Sequence, residues 1–253
     1  MYLLQIFVFT YLQGLSLNLN CCTENEVHAL VLARGGSQGI PNKNLKELNG
    51  TSLLGRTITI LNGSNLFEHI WVSTDSEPIA SEAIKFGALV HIRDPLYAQD
   101  NTSSLESVKH FLFGVETIKR FALFQCTSIF LKEHYIKEAL KLFETKDCVF
   151  AATKSHKLRW KLQENKHVVP LNFNPERRPR RQDWSGELIE TGMFYFSTRH
   201  LIEVENRFQN ENCGVVEIDE ADSMEIDTYT DLKLAQCLLQ YSSGTTGCTD
   251  SVP

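Results

Sequence analysis

The sequence predicts an α/β fold, a mainly parallel sheet with helices on both faces. Three observations lead there. Short continuous apolar runs alternate with amphipathic segments from His28 onward. The first of these runs breaks directly into a glycine-rich loop between Leu30 and Asn44. A chain of 253 residues with 42% hydrophobic and 22% charged positions has the composition of one soluble domain of the larger kind with a full core.

The elements follow in order. "HALVLA" is a buried-strand run, and "SLLGRTITILN" carries apolar residues at helical spacing. "HIWVSTD" is a second strand, and "EPIASEAIKFG" an amphipathic helix ending on Gly87 as C-cap. "ALVHIR" is a third strand. "SSLESVKHFLFGVETI" is a helix capped by Ser103 or Ser104. "RFALFQCTS" is a fourth strand running into a polar loop, "KEHYIKEALKLFE" a helix and "DCVFAAT" a fifth strand. The stretch from His167 to Gly192, rich in Pro, Arg and polar residues, leaves the sheet as an excursion. "MFYFS" returns as a strand and "TRHLIEVEN" as a helix, followed by a last strand, an acidic loop and a closing helix. Ligands of such sheets sit at the carboxyl ends of the strands. Arg34 to Asn44, Ser73 to Asp75, Arg93 and Gln125 to Ser128 are therefore expected along one edge.

The two ends read differently. Tyr2 to Leu15 is apolar, too short for a membrane span and of signal-peptide length, so residues 1–22 read as a secretory signal or anchor, although no basic residue precedes the apolar run. Residues 28–242 form the folded domain, and residues 243–253 read as a disordered tail. Three N-x-S/T sequons, at Asn49, Asn62 and Asn101, agree with a lumenal location. The seven cysteines are scattered and form no C-x-x-C pair, which argues against a zinc site and leaves buried free thiols as the expectation. A net charge of −6 argues against a nucleic-acid partner.

Three segments carry chemistry. In Gly35-Gly36-x-x-Gly39 the glycines let backbone N–H groups approach an anion, and Arg34 and Lys43 bring two cations to the same loop. Pro41 stands where a P-loop needs its second glycine, and the G-x-G-x-x-G spacing is absent. A loop that holds a triphosphate fits these residues. In "DSMEIDTYTD", Glu225 and Asp227 project to one side if the stretch is extended, which suits Mg²⁺ beside phosphates. The alternative is an acidic turn in which Asp227 caps the last helix. "ERRPRRQ" packs four arginines into seven residues, a clamp on acidic substrates, a nuclear localisation signal or a solvated basic loop; with no second basic cluster and no interleaved aromatics, nucleic-acid contact is disfavoured.

"LARGGSQGIPNKN", "VSTDSEPIA", "QCTS", "RPRRQDWSGELIETGMFYF" and "MEIDTYTDLKLA" together resemble the CMP-N-acylneuraminate (sialic acid) cytidylyltransferase family, animal type. The resemblance runs from about His28 to Leu239. It implies a Rossmann-like nucleotidyltransferase fold, a homodimer, and transfer of CMP from CTP to the anomeric hydroxyl of a sialic acid with Mg²⁺ or another divalent cation such as Mn²⁺. Carried over by motif, Arg34 and Lys43 hold the reacting triphosphate, with Gly35, Gly36 and Asn44 on the nucleotide. Arg93 and Ser104 match positions near the cytosine, and Gln125 matches a sugar-binding glutamine. Arg159, Arg181 and Tyr195 match positions that receive the sialic acid, and Glu225 and Asp227 the metal. The arginine-rich excursion then belongs to substrate binding and the dimer contact.

The sequence departs from the family pattern at Glu225, where the first member of the acidic motif is usually Asp, at Cys126, where a proline is usual, and at Thr191, usually Asn. A cytidylyltransferase for another acidic sugar such as Kdo, or a silent CTP or sialic acid binding protein, are the alternatives. The leader and sequons point to the Golgi or ER lumen, whereas Arg177 to Arg181 fit the nuclear import signals of vertebrate members.

Overall fold

Apolar side chains on both faces of its strands decide the sheet. The computed structural model describes residues 26–242. The leader proposed for residues 1–22 and the tail at residues 243–253 lie outside the described residues. Among the described residues no helix is long and apolar enough to cross a membrane.

The described residues open with β1 (Val27–Leu32), and β2 (Glu47–Leu48) and β3 (Thr51–Ser52) form a small hairpin leading into α1 (Leu53–Ser64). Then come β4 (Ile70–Thr74), α2 (Glu77–Lys85), β5 (Leu89–Ile92), α3 (Ser104–Gly114), β6 (Arg120–Phe124), α4 (Glu133–Phe143) and β7 (Cys148–Ser155). A second hairpin, β8 (Trp160–Leu162) and β9 (Val168–Pro170), precedes β10 (Glu187–Thr198), α5 (Arg199–Glu203), β11 (Cys213–Glu217) and α6 (Tyr229–Ser242). The main sheet runs β11-β7-β10-β6-β1-β4-β5. β10 is antiparallel to both of its neighbours, and the other pairs are parallel.

Strand alternation divides the core into two layers. Ala29 and Val31 of β1 join the larger cluster with Leu54 and Ile58 of α1, Ile79 of α2, Ile136 and Phe143 of α4 and Leu232 of α6. Leu30 faces the other way, against Val108, Phe111 and Leu112 of α3 and Ile202 of α5. The helices form where the apolar spacing and caps place them. Ser103 and Glu106 make a reciprocal capping box on α3, so Ser103 is the cap and Ser104 is left as the first helical residue. Gly87, at φ +87°, takes the left-handed turn that ends α2.

Three expectations are corrected. The helix over Thr198 to Asn206 is only the five residues of α5. The strand read as "MFYFS" begins six residues earlier, at Glu187, because β10 continues beyond a bulge to pair with the end of β7 inside the excursion. The cysteines are not all free thiols: Cys148 and Cys213 are joined in a disulfide. They stand opposite each other on adjacent strands, a neighbourhood that a separation of 65 residues concealed. Cys126 is free and buried.

Two histidines are held neutral by the packing. Burial, with a smaller contribution from His69, lowers the His28 pKa from 6.5 to about 4. Burial, then His110 and Arg93, lowers His91 to about 4 as well. The unfolded chain binds these protons more readily, so the contribution is complete above pH 6.5 and is lost as pH falls toward 4. The thermal midpoint should therefore decline over that window, and His91→Gln should make the decline shallower. Calorimetric scans against pH check this; an unchanged slope in the variant would contradict it.

Candidate active site

The carboxyl ends of β1, β5 and β6 meet at a cavity of about 300 Å³; Ser73 to Asp75 at the end of β4 are not in its lining. Arg34, Gly36, Lys43, Asn44, Arg93, Ser104 and Gln125 all line it, so seven residues singled out in the sequence come together. Tyr97, Asp100, Cys126 and Thr127 line it too.

The glycine loop is shaped less by an anion than by its neighbours. A Cβ at Gly39 would lie 2.6 Å from the carbonyl oxygen of Asp227, and one at Gly35 would lie 2.9 Å from Ser76 Cβ. Only at Gly36 would a methyl meet nothing within 4 Å. Two of the three glycines thus serve close packing, and only Gly36 lines the cavity. The Gly35 N–H donates to Asp75 Oδ1 at 2.9 Å. Asn44 Nδ2 donates to the Arg34 carbonyl at 3.1 Å and fastens the two ends of the loop together.

Both loop cations face carboxylates. Lys43 Nζ lies 3.0 Å from Asp227 Oδ1, and Arg34 pairs with Asp100. Arg93 is buried, and its guanidinium donates to the Ser73 carbonyl at 3.0 Å. Its Nε has no partner among the described residues. Burial lowers the Arg93 pKa, with Asp75 opposing.

The acidic loop resolves the question of the last helix cap. Thr228 caps α6: its Oγ1 accepts from Asp231 N at 3.2 Å, while Asp231 Oδ2 accepts from Thr228 N at 2.7 Å. The Asp227 carboxylate is therefore released toward Lys43. The Ile226 N–H donates to the Thr127 carbonyl at 3.1 Å, which ties this loop to the segment after β6. Glu225 turns toward Gly192, where an added Cβ would lie 2.2 Å from its Oε1 and 3.1 Å from Gln125 Nε2. Gly192 adopts φ +68°, a second reason for glycine there. Glu225 Oε1 is buried without a hydrogen-bond partner. Burial, reinforced by Asp227 and opposed by Lys43, raises the Glu225 pKa.

Three expected sugar-binding residues do not line the cavity. Arg159 is paired with Glu187 at 2.8 Å. Arg181 lies 3.7 Å from Glu220. Tyr195 donates its hydroxyl to Glu190 at 3.0 Å; burial and that carboxylate push its pKa well up. Among the residues that sequence reasoning passed over are Asp100 and Gln38, whose contacts span 66 and 62 positions and leave no local pattern. The Thr228–Asp231 cap did have a signal, the T-x-x-D spacing.

A family model described as cytidylyltransferase matches residues 28–242. The chain belongs to the cytidylyltransferase family. It is 41% identical over 215 residues to N-acylneuraminate cytidylyltransferase A of Danio rerio, covering 83% of this chain and 50% of that protein. N-acylneuraminate cytidylyltransferase B of the same fish is 43% identical over 176 residues, covering 68% of this chain and 41% of its own length. The Escherichia coli O18:K1:H7 N-acylneuraminate cytidylyltransferase is 30% identical, covering 85% and 52%. The chain thus spans about half the length of these curated relatives. Among solved structures, CMP:2-keto-3-deoxy-manno-octonic acid synthetase complexed with CTP superposes with a TM-score of 0.66 at 13% identity, covering 86% of this chain and 99% of that one. The 4-diphosphocytidyl-2C-methyl-D-erythritol synthase of Anaerococcus prevotii gives 0.61 at 14%, covering 86% and 100%. At those identities the likeness establishes the nucleotidyltransferase fold alone.

The close approach at Gly39 is directly testable. Gly39→Ala should lower unfolding free energy by about 1–3 kcal/mol, the usual overpacking penalty. Gly36→Ala, facing open space, should leave it nearly unchanged. Urea unfolding of the two variants side by side measures the contrast; equal losses would contradict the packing argument.

Proposed function

We propose that the chain transfers CMP from CTP to the anomeric hydroxyl of N-acetylneuraminic (sialic) acid, giving CMP-sialic acid and pyrophosphate. The observation that carries this reading is the convergence of Arg34, Lys43, Asn44, Arg93, Ser104 and Gln125 on one cavity, in a chain 41% identical to a fish N-acylneuraminate cytidylyltransferase. Attack of the hydroxyl on the α-phosphorus forms one P–O bond as the bond to pyrophosphate breaks, and the hydroxyl proton is given up to solvent. Negative charge builds on the phosphate oxygens. Arg34, already fixed at the cavity wall, meets that charge with little reorganisation, and Lys43 meets it as the phosphate displaces Asp227 from it. Arg93, buried with Nε unpartnered, offers the base a donor. Gln125, beside Gly192 and Glu225, faces the acceptor sugar.

No group of three or more His, Cys, Asp or Glu side chains among the described residues forms a metal cluster. Mg²⁺ commonly takes only one or two carboxylates plus substrate phosphates. Glu225, with its orphaned buried oxygen, and Asp227, beside the loop cation Lys43, fit that demand. Bound there, Mg²⁺ or Mn²⁺ would supply positive charge to the phosphate oxygens.

The proposed homodimer is supported by the excursion. Trp160, Leu162, Val168 and Leu171 on the β8–β9 arm, and Leu188 and Ile189 at the start of β10, are between 43% and 67% exposed. A second copy would bury them, and the arm carries Arg159 and Arg181, whose guanidinium groups suit the sialic acid carboxylate. An oxidising Golgi or ER lumen is supported by the Cys148–Cys213 disulfide.

Lys43→Ala should reduce pyrophosphate release from CTP and N-acetylneuraminate by about 10²- to 10³-fold, the scale of one lost charge-stabilising donor. Its thermal midpoint should stay near that of the parent. The assay is run across a series of divalent metals. Turnover of Kdo in preference to sialic acid would redirect the substrate, and CTP binding without pyrophosphate release would mark a silent binding protein. Immunofluorescence of the full chain should give a Golgi or ER pattern that deletion of residues 1–22 abolishes; nuclear staining of the full chain would count against the lumen.

A further inference from the structure

The two cations of the glycine loop are held in different ways. Lys43 is a single point charge, and Asp227 occupies it directly. An arriving phosphate must compete with that carboxylate. Arg34 is a planar fork with five N–H donors, and Asp100 takes one terminal nitrogen. Asp100 also accepts from Gln38 Nε2 at 2.6 Å through its other oxygen. Both carboxylate oxygens are thus engaged by the loop, from a segment that reaches it across the lining of the cavity. These two hydrogen bonds are the leading reasons the Asp100 carboxyl is held below the usual carboxylate range.

Asp100 and Arg34 both line the cavity, and Asp100 is the salt-bridge partner of Arg34 among the described residues. The guanidinium plane is therefore set by one bond at its edge, and its other donors remain for an anion. A long side chain that must be ordered on binding weakens affinity by roughly two- to tenfold. Asp100 removes that ordering step. Its own negative charge opposes a triphosphate, but the carboxylate is half exposed and screened by water and salt.

We propose that Asp100, braced by Gln38, is a positioning residue that presets the Arg34 guanidinium for the triphosphate of the nucleotide. This rests on the nucleotide-binding reading of the cavity. Asp100 touches no reacting atom; its effect passes through Arg34. A double-mutant cycle isolates that route.

The experiment is calorimetric titration of CTP with Mg²⁺ into the full chain and into Asp100→Ala, Arg34→Ala and the double variant, with thermal midpoints recorded for each. Asp100→Ala should weaken CTP binding about three- to fivefold, the scale of an exposed charge pair. In the Arg34→Ala background the same change should add nothing. Asp100→Glu should restore part of the loss, and the KM for sialic acid should not move. Tighter CTP binding in Asp100→Ala would overturn the proposal, because Asp100 would then be competing with the triphosphate. Equal weakening in both backgrounds would overturn it too, since Asp100 would be acting without Arg34. If the parent chain bound no CTP, the nucleotide reading itself would fall and the positioning role with it. If the parent bound CTP and Asp100→Ala bound it equally well, the positioning role alone would fall.

Discussion

The site depends on one close approach, the glycine loop lying directly against the acidic loop. The Gly39 Cα faces the Asp227 carbonyl so closely that a methyl group would stand 2.6 Å from it. Four residues on, Lys43 reaches the side chain of the same Asp227 across 184 positions of sequence. These contacts bring the first βα turn and the last helix to one place. Without them the loop cations and the acidic pair would be separate surface features, each weakly held.

Other devices keep that junction in register. Thr228 and Asp231 cap α6 between themselves and so leave the Asp227 carboxylate available. The Ile226 N–H on the Thr127 carbonyl fixes the acidic loop to the segment that follows β6. A buried group continues the support: Asp222 accepts from the Tyr135 hydroxyl at 2.7 Å and pairs with Lys132, anchoring the start of the loop on α4. Glu225 is left half-buried, charged against Asp227, with one oxygen unpartnered. A half-buried carboxylate beside a second one, with an oxygen unpartnered, carries a desolvation and repulsion cost that Lys43 only partly offsets.

The excursion follows a different logic. β10 stays antiparallel in a parallel sheet because it must return from the arm between β6 and β7. Beyond the bulge it continues with β7 as a ribbon carrying Leu188 and Ile189 into solvent. Within one chain Arg159 and Arg181 satisfy themselves on Glu187 and Glu220 rather than in the cavity.

Much of the fold was legible in the sequence, because it rests on local rules. Apolar runs of strand length, helical spacing, the Ser103–Glu106 cap and the Gly87 turn each act within a few residues. The brevity of α5 and the extension of β10 were not legible, since both are set by pairing and packing with distant strands. Within the site, the sequence by itself determined which cations and carboxylates the chain owns: Arg34, Lys43, Arg93, Glu225 and Asp227. Only the tertiary structure decided their partners. Asp100 on Arg34, Asp227 on Lys43 and Cys148 on Cys213 join positions 66, 184 and 65 apart. Side chains meet where the sheet order places them, and no periodicity along the chain encodes a contact across it.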